Sequence, residues 1–192
     1  MEKIFIVTVL AIAVFNASAQ QADSLKQPKI MMADQMKIKD LVRAARLDDL
    51  VILGIPSVFF PRHLPTDPEF LKATACIAAK RNPGFVELLA HAVEKTMSPD
   101  ELKSGHLFFN SDTGRKYAEL MVWQARDELA YKQSSSRPQL SSFEEETARK
   151  FLMSPAGSKL TTRHLFAISQ TAVRILELGA DIVAACSAKT QK

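Results

Sequence analysis

The sequence predicts an all-α protein, and three observations carry that expectation. No segment alternates apolar and polar residues with the period of two that a half-buried strand shows. Helix-start signals recur instead: Asp67-Pro68, Asn82-Pro83, Ser98-Pro99 and Ser154-Pro155 each place a capping side chain before a first-turn proline. The stripe Leu165, Ile168, Ala172, Ile175, Gly179, Ile182, Cys186 alternates steps of three and four, the spacing of a helix seam. The expected architecture is a single helical domain over residues 34–192, with about seven helices and two similar helix–cap–helix units.

The chain opens with a charged Met1-Glu2-Lys3, an apolar run from Ile4 to Phe15 and the small residues Ala17-Ser18-Ala19. That order is a cleavable secretory signal peptide over residues 1–19, cut after Ala19. The apolar run is shorter than the roughly 20 residues of a membrane span. No later stretch is long and apolar enough to span, so no stable membrane insertion is expected. Residues 20–33 are polar and basic without periodicity and read as a flexible lead.

A first helix is expected from Asp34 to about Arg46, burying Met36, Ile38, Leu41, Val42 and Ala45. Leu47 to Phe60 is apolar but carries Gly54 and Pro56, which predicts a short helix, a turn and an exposed Phe59-Phe60 edge. Pro61 to Pro65 reads as a loop. Asp67 caps a helix to about Arg81, and Asn82 caps one to about Thr96 whose inner face is Val86, Leu89, Ala90 and Val93.

A phrase then occurs twice, 43 residues apart. Ser98-x-x-Glu101 and Ser141-x-x-Glu144 are capping boxes, in which serine and glutamate each satisfy the other's backbone amide. Each box opens a helix that ends in Phe108-Phe109-Asn110-Ser111 or Phe151-Leu152-Met153-Ser154. Ser111 and Ser154 cap the following helices, with Pro155 in the first turn of the second. Gly114 and Gly157 fall inside those turns, and Lys116 and Lys159 follow. The helix after Ser111 is expected to run to about Lys132, with Tyr117, Leu120, Met121, Trp123 and Leu129 available for packing. Ser134 to Gln139 is the linker between copies. The helix after Ser154 is expected to run without a break to about Ala188.

This phrase resembles the signature of a bacterial domain-of-unknown-function family, the one numbered 2059. Phe151, Ser154, Pro155, Ala156, Gly157 and Lys159 carry the likeness closely. Phe108, Phe109, Ser111, Gly114 and Lys116 carry it with Asp112 in the proline position. The resemblance implies an exported, all-helical, periplasmic protein and no particular activity.

Chemistry-bearing patterns are few. Ser111 and Ser154 lack a Gly-x-Ser-x-Gly elbow or a His and acid in company, so capping explains both. A glycine in the first helical turn costs roughly 0.5–1 kcal/mol against alanine. Close approach of a neighbouring element offsets that cost, or the turns with Lys116 and Lys159 hold an anion. Glu87, His91 and Glu94 share a helix face, without the third strong ligand and open position of a catalytic zinc site. Phe59, Phe60 and Trp123 are candidates for a partner-binding patch. No catalytic, metal or cofactor-binding residue is expected, and the protein is not read as an enzyme.

The net charge is +4, with 25 basic and 21 acidic residues interspersed, so nucleic acid is not an expected partner. Cys76 and Cys186 are the two cysteines. In an oxidising compartment they form a candidate disulfide, and otherwise two buried thiols. The function expected is a non-enzymatic periplasmic protein-interaction module, with secretion as the alternative destination. The alternative function is an immunity or inhibitor protein against a cell-envelope hydrolase. The expected partner is another envelope protein, with a homo-oligomer also open.

Overall fold

The structure, a computed structural model, describes residues 32–60, 67–80, 82–128, 136–161, 164–165 and 168–190. The signal peptide, nearly all of the lead, the Pro61 to Pro65 loop and the expected end of the long helix at Lys132 lie outside the described residues.

The described residues are helical and contain no strand. Helix α1 is Met32–Ala44, α2 Leu47–Phe59, α3 Pro68–Ala79, α4 Pro83–Thr96 and α5 Pro99–Phe109. Helix α6 is Asp112–Glu128, α7 Ser142–Leu152, α8 Pro155–Lys159 and α9 Ser169–Thr190. The all-α class follows directly. The nine helices of the described residues exceed the expected number of about seven, partly because the last expected helix is divided.

That helix does not run unbroken from Ser154 to Ala188. Helix α8 stops after five residues, where the Leu160 amide bonds back to the Ala156 and Gly157 carbonyls. The Thr161 hydroxyl then accepts the His164 amide and offers the backbone an alternative to the helix. The bend buries Leu160 at 5 % exposure, beside the backbone of Gly105 in α5.

Helix α2 departs from expectation in the other direction. It passes through Gly54 and Pro56 to Phe59. Proline removes one helical hydrogen bond and crowds the preceding turn. Here the helix is apolar nearly all round, with Leu47, Val51, Ile52, Leu53, Ile55 and Pro56 buried. It packs against α1, α3, α4, α6 and α9, so tertiary burial outweighs the local break. Phe59 and Phe60 are consequently not an exposed edge. Phe59 lies beside Gly179 of α9, and Phe60 meets Phe70 edge-on at 6.3 Å.

The core is continuous. Ile38, Leu41 and Val42 of α1, with Ala45 just past its end, share one core with Val86, Leu89, Ala90 and Val93 of α4, the faces that the spacing predicts. From Ile168 onward the seam of α9 also faces inward, with Ile175, Gly179, Ile182 and Cys186 buried. Helix α6 is different. Its buried residues are Gly114, Ala118 and Val122, while Tyr117, Leu120, Met121 and Trp123 are half-buried. Small side chains at intervals of four let α6 approach its neighbours closely. Cys76 of α3 and Cys186 of α9 form a disulfide with Cα atoms 5.9 Å apart, within the usual bridging range.

Candidate functional site

Both copies of the repeated phrase build the same corner. Ser98 Oγ accepts the Glu101 amide, and a Glu101 carboxylate oxygen accepts the Ser98 amide at 2.6 Å. Ser141 and Glu144 repeat the exchange, at 3.3 and 2.8 Å. At the far end of each helix one serine joins two helices. Ser111 Oγ donates to the Phe108 carbonyl at 2.6 Å and accepts the Gly114 amide at 3.1 Å. Ser154 Oγ does the same with the Phe151 carbonyl and the Gly157 amide, at the same distances.

This corner explains both glycines. A Cβ on Gly114 would stand 2.0 Å from the Phe108 carbonyl oxygen, and one on Gly157 would stand 2.0 Å from that of Phe151. The element in close approach is the end of the preceding helix itself. Both serine hydroxyls thus serve as caps, each donating to a carbonyl and accepting a glycine amide. The Gly114 and Gly157 amides are likewise taken by the serines.

The lysines have another partner. Lys159 of the second corner reaches Glu101 of the first at 2.7 and 2.8 Å. Lys116 of the first corner reaches Glu144 of the second at 2.6 Å. Each capping glutamate thus serves its own helix start and the other copy's lysine. Between these bridges Phe108 stacks on Phe151 with centroids 4.0 Å apart and planes 9° from parallel, while Phe109 meets Phe151 edge-on. Reciprocal contacts of this kind are what a local two-fold relation produces. Helices α5 and α6 form one half and α7 and α8 the other, though α8 has five residues against seventeen in α6.

The bridges set the titration of the glutamates. The Lys116 ammonium, with the Ser141 amide and hydroxyl, holds Glu144 down at about 2, against an ordinary 4.5. Lys159 and the Ser98 amide lower Glu101, and Glu144 in turn raises Lys116. A depressed carboxylate contributes stability above its unfolded value, and that contribution is lost as pH falls through the folded value. Unfolding free energy is therefore expected to decline between about pH 4.5 and 2. Urea titrations across this window should show a shallower decline for Glu144→Gln than for the parent, and equal slopes would remove the bridge from the account.

Beside the first corner lies a cleft of about 580 Å³, where the ends of α1 and α5 meet the starts of α2, α4 and α6. It is lined by the apolar Ala44, Pro83, Val86 and Phe109 and by the charged Arg43, Arg46, Arg115, Asp48, Asp49 and Glu119. Each guanidinium is held by an acceptor three to five residues away in the chain. Arg43 binds Asp40 at 3.2 Å and Arg46 binds Asp49 at 2.8 Å. Arg115 donates to the Asn110 carbonyl and to Asp112. Arg46 sits at φ 53°, the one positive φ of a non-glycine among the described residues. Left-handed backbone costs such a residue roughly 1–2 kcal/mol, and glycine ordinarily takes a helix-end position of this kind.

Sequence reasoning missed this cleft. Its arginines are scattered over 73 positions of chain, and no spacing rule links them. The left-handed Arg46 has no residue-type signal at all.

The other candidates resolve differently. Glu87 is bound by Lys39 at 2.7 Å, and His91 stands 3.8 Å from Glu94. Among the described residues no three His, Cys, Asp or Glu side chains group closely enough to hold a metal. Trp123 is half-buried with Arg137 over its ring at 5.9 Å, and Phe59 and Phe60 pack inward. These three do not form an exposed patch. Large apolar side chains do reach solvent elsewhere: Leu107 on α5, and Phe143 and Met153 at the two ends of α7. No family model, curated protein or solved structure matches the chain.

Proposed function

We propose that this protein is an exported, non-enzymatic interaction module of the periplasm, and that α7 presents part of its binding surface. One observation carries the reading. Phe143 is 79 % exposed and Met153 75 % exposed, yet the equivalent positions of the first copy are the exposed polar residues Asp100 and Asn110. The two copies keep the same structural residues and differ where they face solvent. Aromatic residues and methionine are enriched at the centres of protein interfaces, and an exposed side chain adds little to the core.

Two further features support export. The Cys76–Cys186 bridge suits an oxidising compartment. No helix among the described residues is long and apolar enough to cross a membrane. The signal peptide would end at Ala19, and the family that the repeated phrase resembles is an exported one.

The test compares residues 20–192 with a Phe143→Asp, Met153→Asn double variant, which carries the first copy's residues on the second. Both are used as bait against envelope extract. The expected outcome is a partner retained by the parent and lost by the variant, with urea midpoints unchanged. Identical capture by both would remove α7 from the interface. Inhibition of a captured hydrolase would assign the module to the immunity class. N-terminal sequencing of envelope-fraction protein should begin at Gln20, and retention of Met1 would refute cleavage.

A further inference from the structure

We infer that Met153 is an oxidation site, taken to the sulfoxide by a peroxide or a hypohalous acid, and that this oxidation withdraws the apolar end of α7 from a partner. The site stands on the geometry of α7 alone, whereas its consequence for a partner rests on the interaction-module reading.

Exposure singles the residue out. Met153 is 75 % exposed, whereas Met97 is 6 % exposed and Met121 is half-buried. These are the methionines whose side chains the structure describes. An oxidant must collide with the sulfur, so burial protects the other two and leaves Met153 open. The thioether sulfur attacks one peroxide oxygen, the O–O bond breaks and an S–O bond forms. Sulfur gives up two electrons, and the departing hydroxide takes the proton of the transferred hydroxyl and leaves as water.

A neighbour distinguishes this sulfur from that of an ordinary surface methionine. Arg149 Nε and Nη2 hold the Glu146 carboxylate at 2.8 and 2.7 Å, a two-pronged pair that fixes the plane of the guanidinium. Its remaining nitrogen, Nη1, donates to Met153 Sδ at 3.5 Å. A thioether is a weak acceptor. A sulfoxide oxygen carries much of a negative charge and accepts strongly. The guanidinium therefore binds the oxidised side chain better than the reduced one, and the flexible methionine chain can turn its new oxygen to Nη1.

Both parts of this arrangement belong to the second copy alone. The first copy has Lys103, His106 and Asn110 where the second has Glu146, Arg149 and Met153. A sulfoxide is close in kind to the asparagine carboxamide, with a polar oxygen on a short branch. Oxidation thus gives the end of α7 the polar character that exposed Asn110 gives the end of α5. The corner itself is untouched, because Met153 contributes to it through its backbone amide, bonded to the Arg149 carbonyl at 3.1 Å.

The test treats residues 20–192 with limiting hydrogen peroxide and maps the added oxygen by mass spectrometry of peptides. Met153 is expected to gain oxygen well before Met97 and Met121. The urea midpoint should stay where it was, and the Arg149 Nε–H resonance should shift as the sulfoxide forms. Oxidation of Met97 or Met121 as fast as Met153, or an Arg149 resonance that does not move, overturns the site. Envelope extract is then offered to the same samples. The loss of captured partner should track the fraction of Met153 carried as sulfoxide. Full capture by oxidised protein, of a partner that the Phe143→Asp, Met153→Asn variant loses, overturns the consequence and leaves the interaction module standing. Equal capture by parent, oxidised protein and double variant overturns the consequence together with the α7 surface, while the peptide map still decides the site.

Discussion

Replacing Gly157 with alanine is expected to destabilise the protein by about 1–3 kcal/mol, the range of an overpacked site. By helix propensity alone the sign would be opposite, since alanine is favoured over glycine within a helix by about 1 kcal/mol. The difference lies in the corner. A Cβ at Gly157 would sit 2.0 Å from the Phe151 carbonyl oxygen and 2.7 Å from the Leu152 Cα. Both are backbone atoms, which cannot rotate away as a side chain can. Opening the corner also breaks the Ser154 bridge between the two helix ends. Gly114→Ala should behave alike, because its contacts are the same within 0.2 Å at their closest. Gly157→Leu should be worse than either.

Gly54 supplies the control. It lies inside α2, and a Cβ there would meet nothing within 4 Å. Gly54→Ala is expected to stabilise by about 0.5–1 kcal/mol. The signature is thus a pair of opposite shifts in urea midpoint from the same chemical change. Alanine at Ser98 or Ser141, which removes one cap from one helix, should cost about 0.5–2 kcal/mol. A Gly157→Ala protein as stable as its parent would show that the corner opens freely, and the tight-corner account would fail.

The second large effect concerns the bridge between Cys76 and Cys186. These residues are 110 apart in sequence, and a loop of that length is worth about 4–5 kcal/mol in the chain-entropy model. Total stabilities of domains run to about 5–15 kcal/mol, so the bridge accounts for a large share. Reduction, or Cys76→Ala with Cys186→Ala, should lower the urea midpoint accordingly. Thiol titration of unfolded protein should find free thiols only after reductant is added. Cys186 is 3 % exposed, so alanine is preferable to serine, which would bury a hydroxyl. An oxidised and a reduced protein with equal midpoints would mean that α9 holds its place without the tie to α3.

Legibility followed the range of the interaction. Both capping boxes, the Asn82 cap and the inner faces of α1 and α4 were readable, because a cap spans three residues and a helix face repeats every three or four. The closure of Gly114 and Gly157 was readable as a need for close approach, although the approaching element was not. Pro56 misled, since its local cost is overridden by burial all round α2. The continuous last helix misled as well, because Thr161 and the burial of Leu160 decide the bend.

What the sequence determined by itself was the helical class, the position of most helix starts and the pair of corners. Each depends on residues a few places apart, whose backbone geometry is set before the chain collapses. Only the tertiary structure decided that Lys116 would meet Glu144 while Lys159 met Glu101, that Phe108 would stack on Phe151, and that Cys76 would bond Cys186. It also decided that Arg43, Arg46 and Arg115 would share one cleft. These contacts join residues far apart along the chain, and no periodicity records them. They exist because packing the apolar faces leaves one arrangement in which the polar ends also find partners.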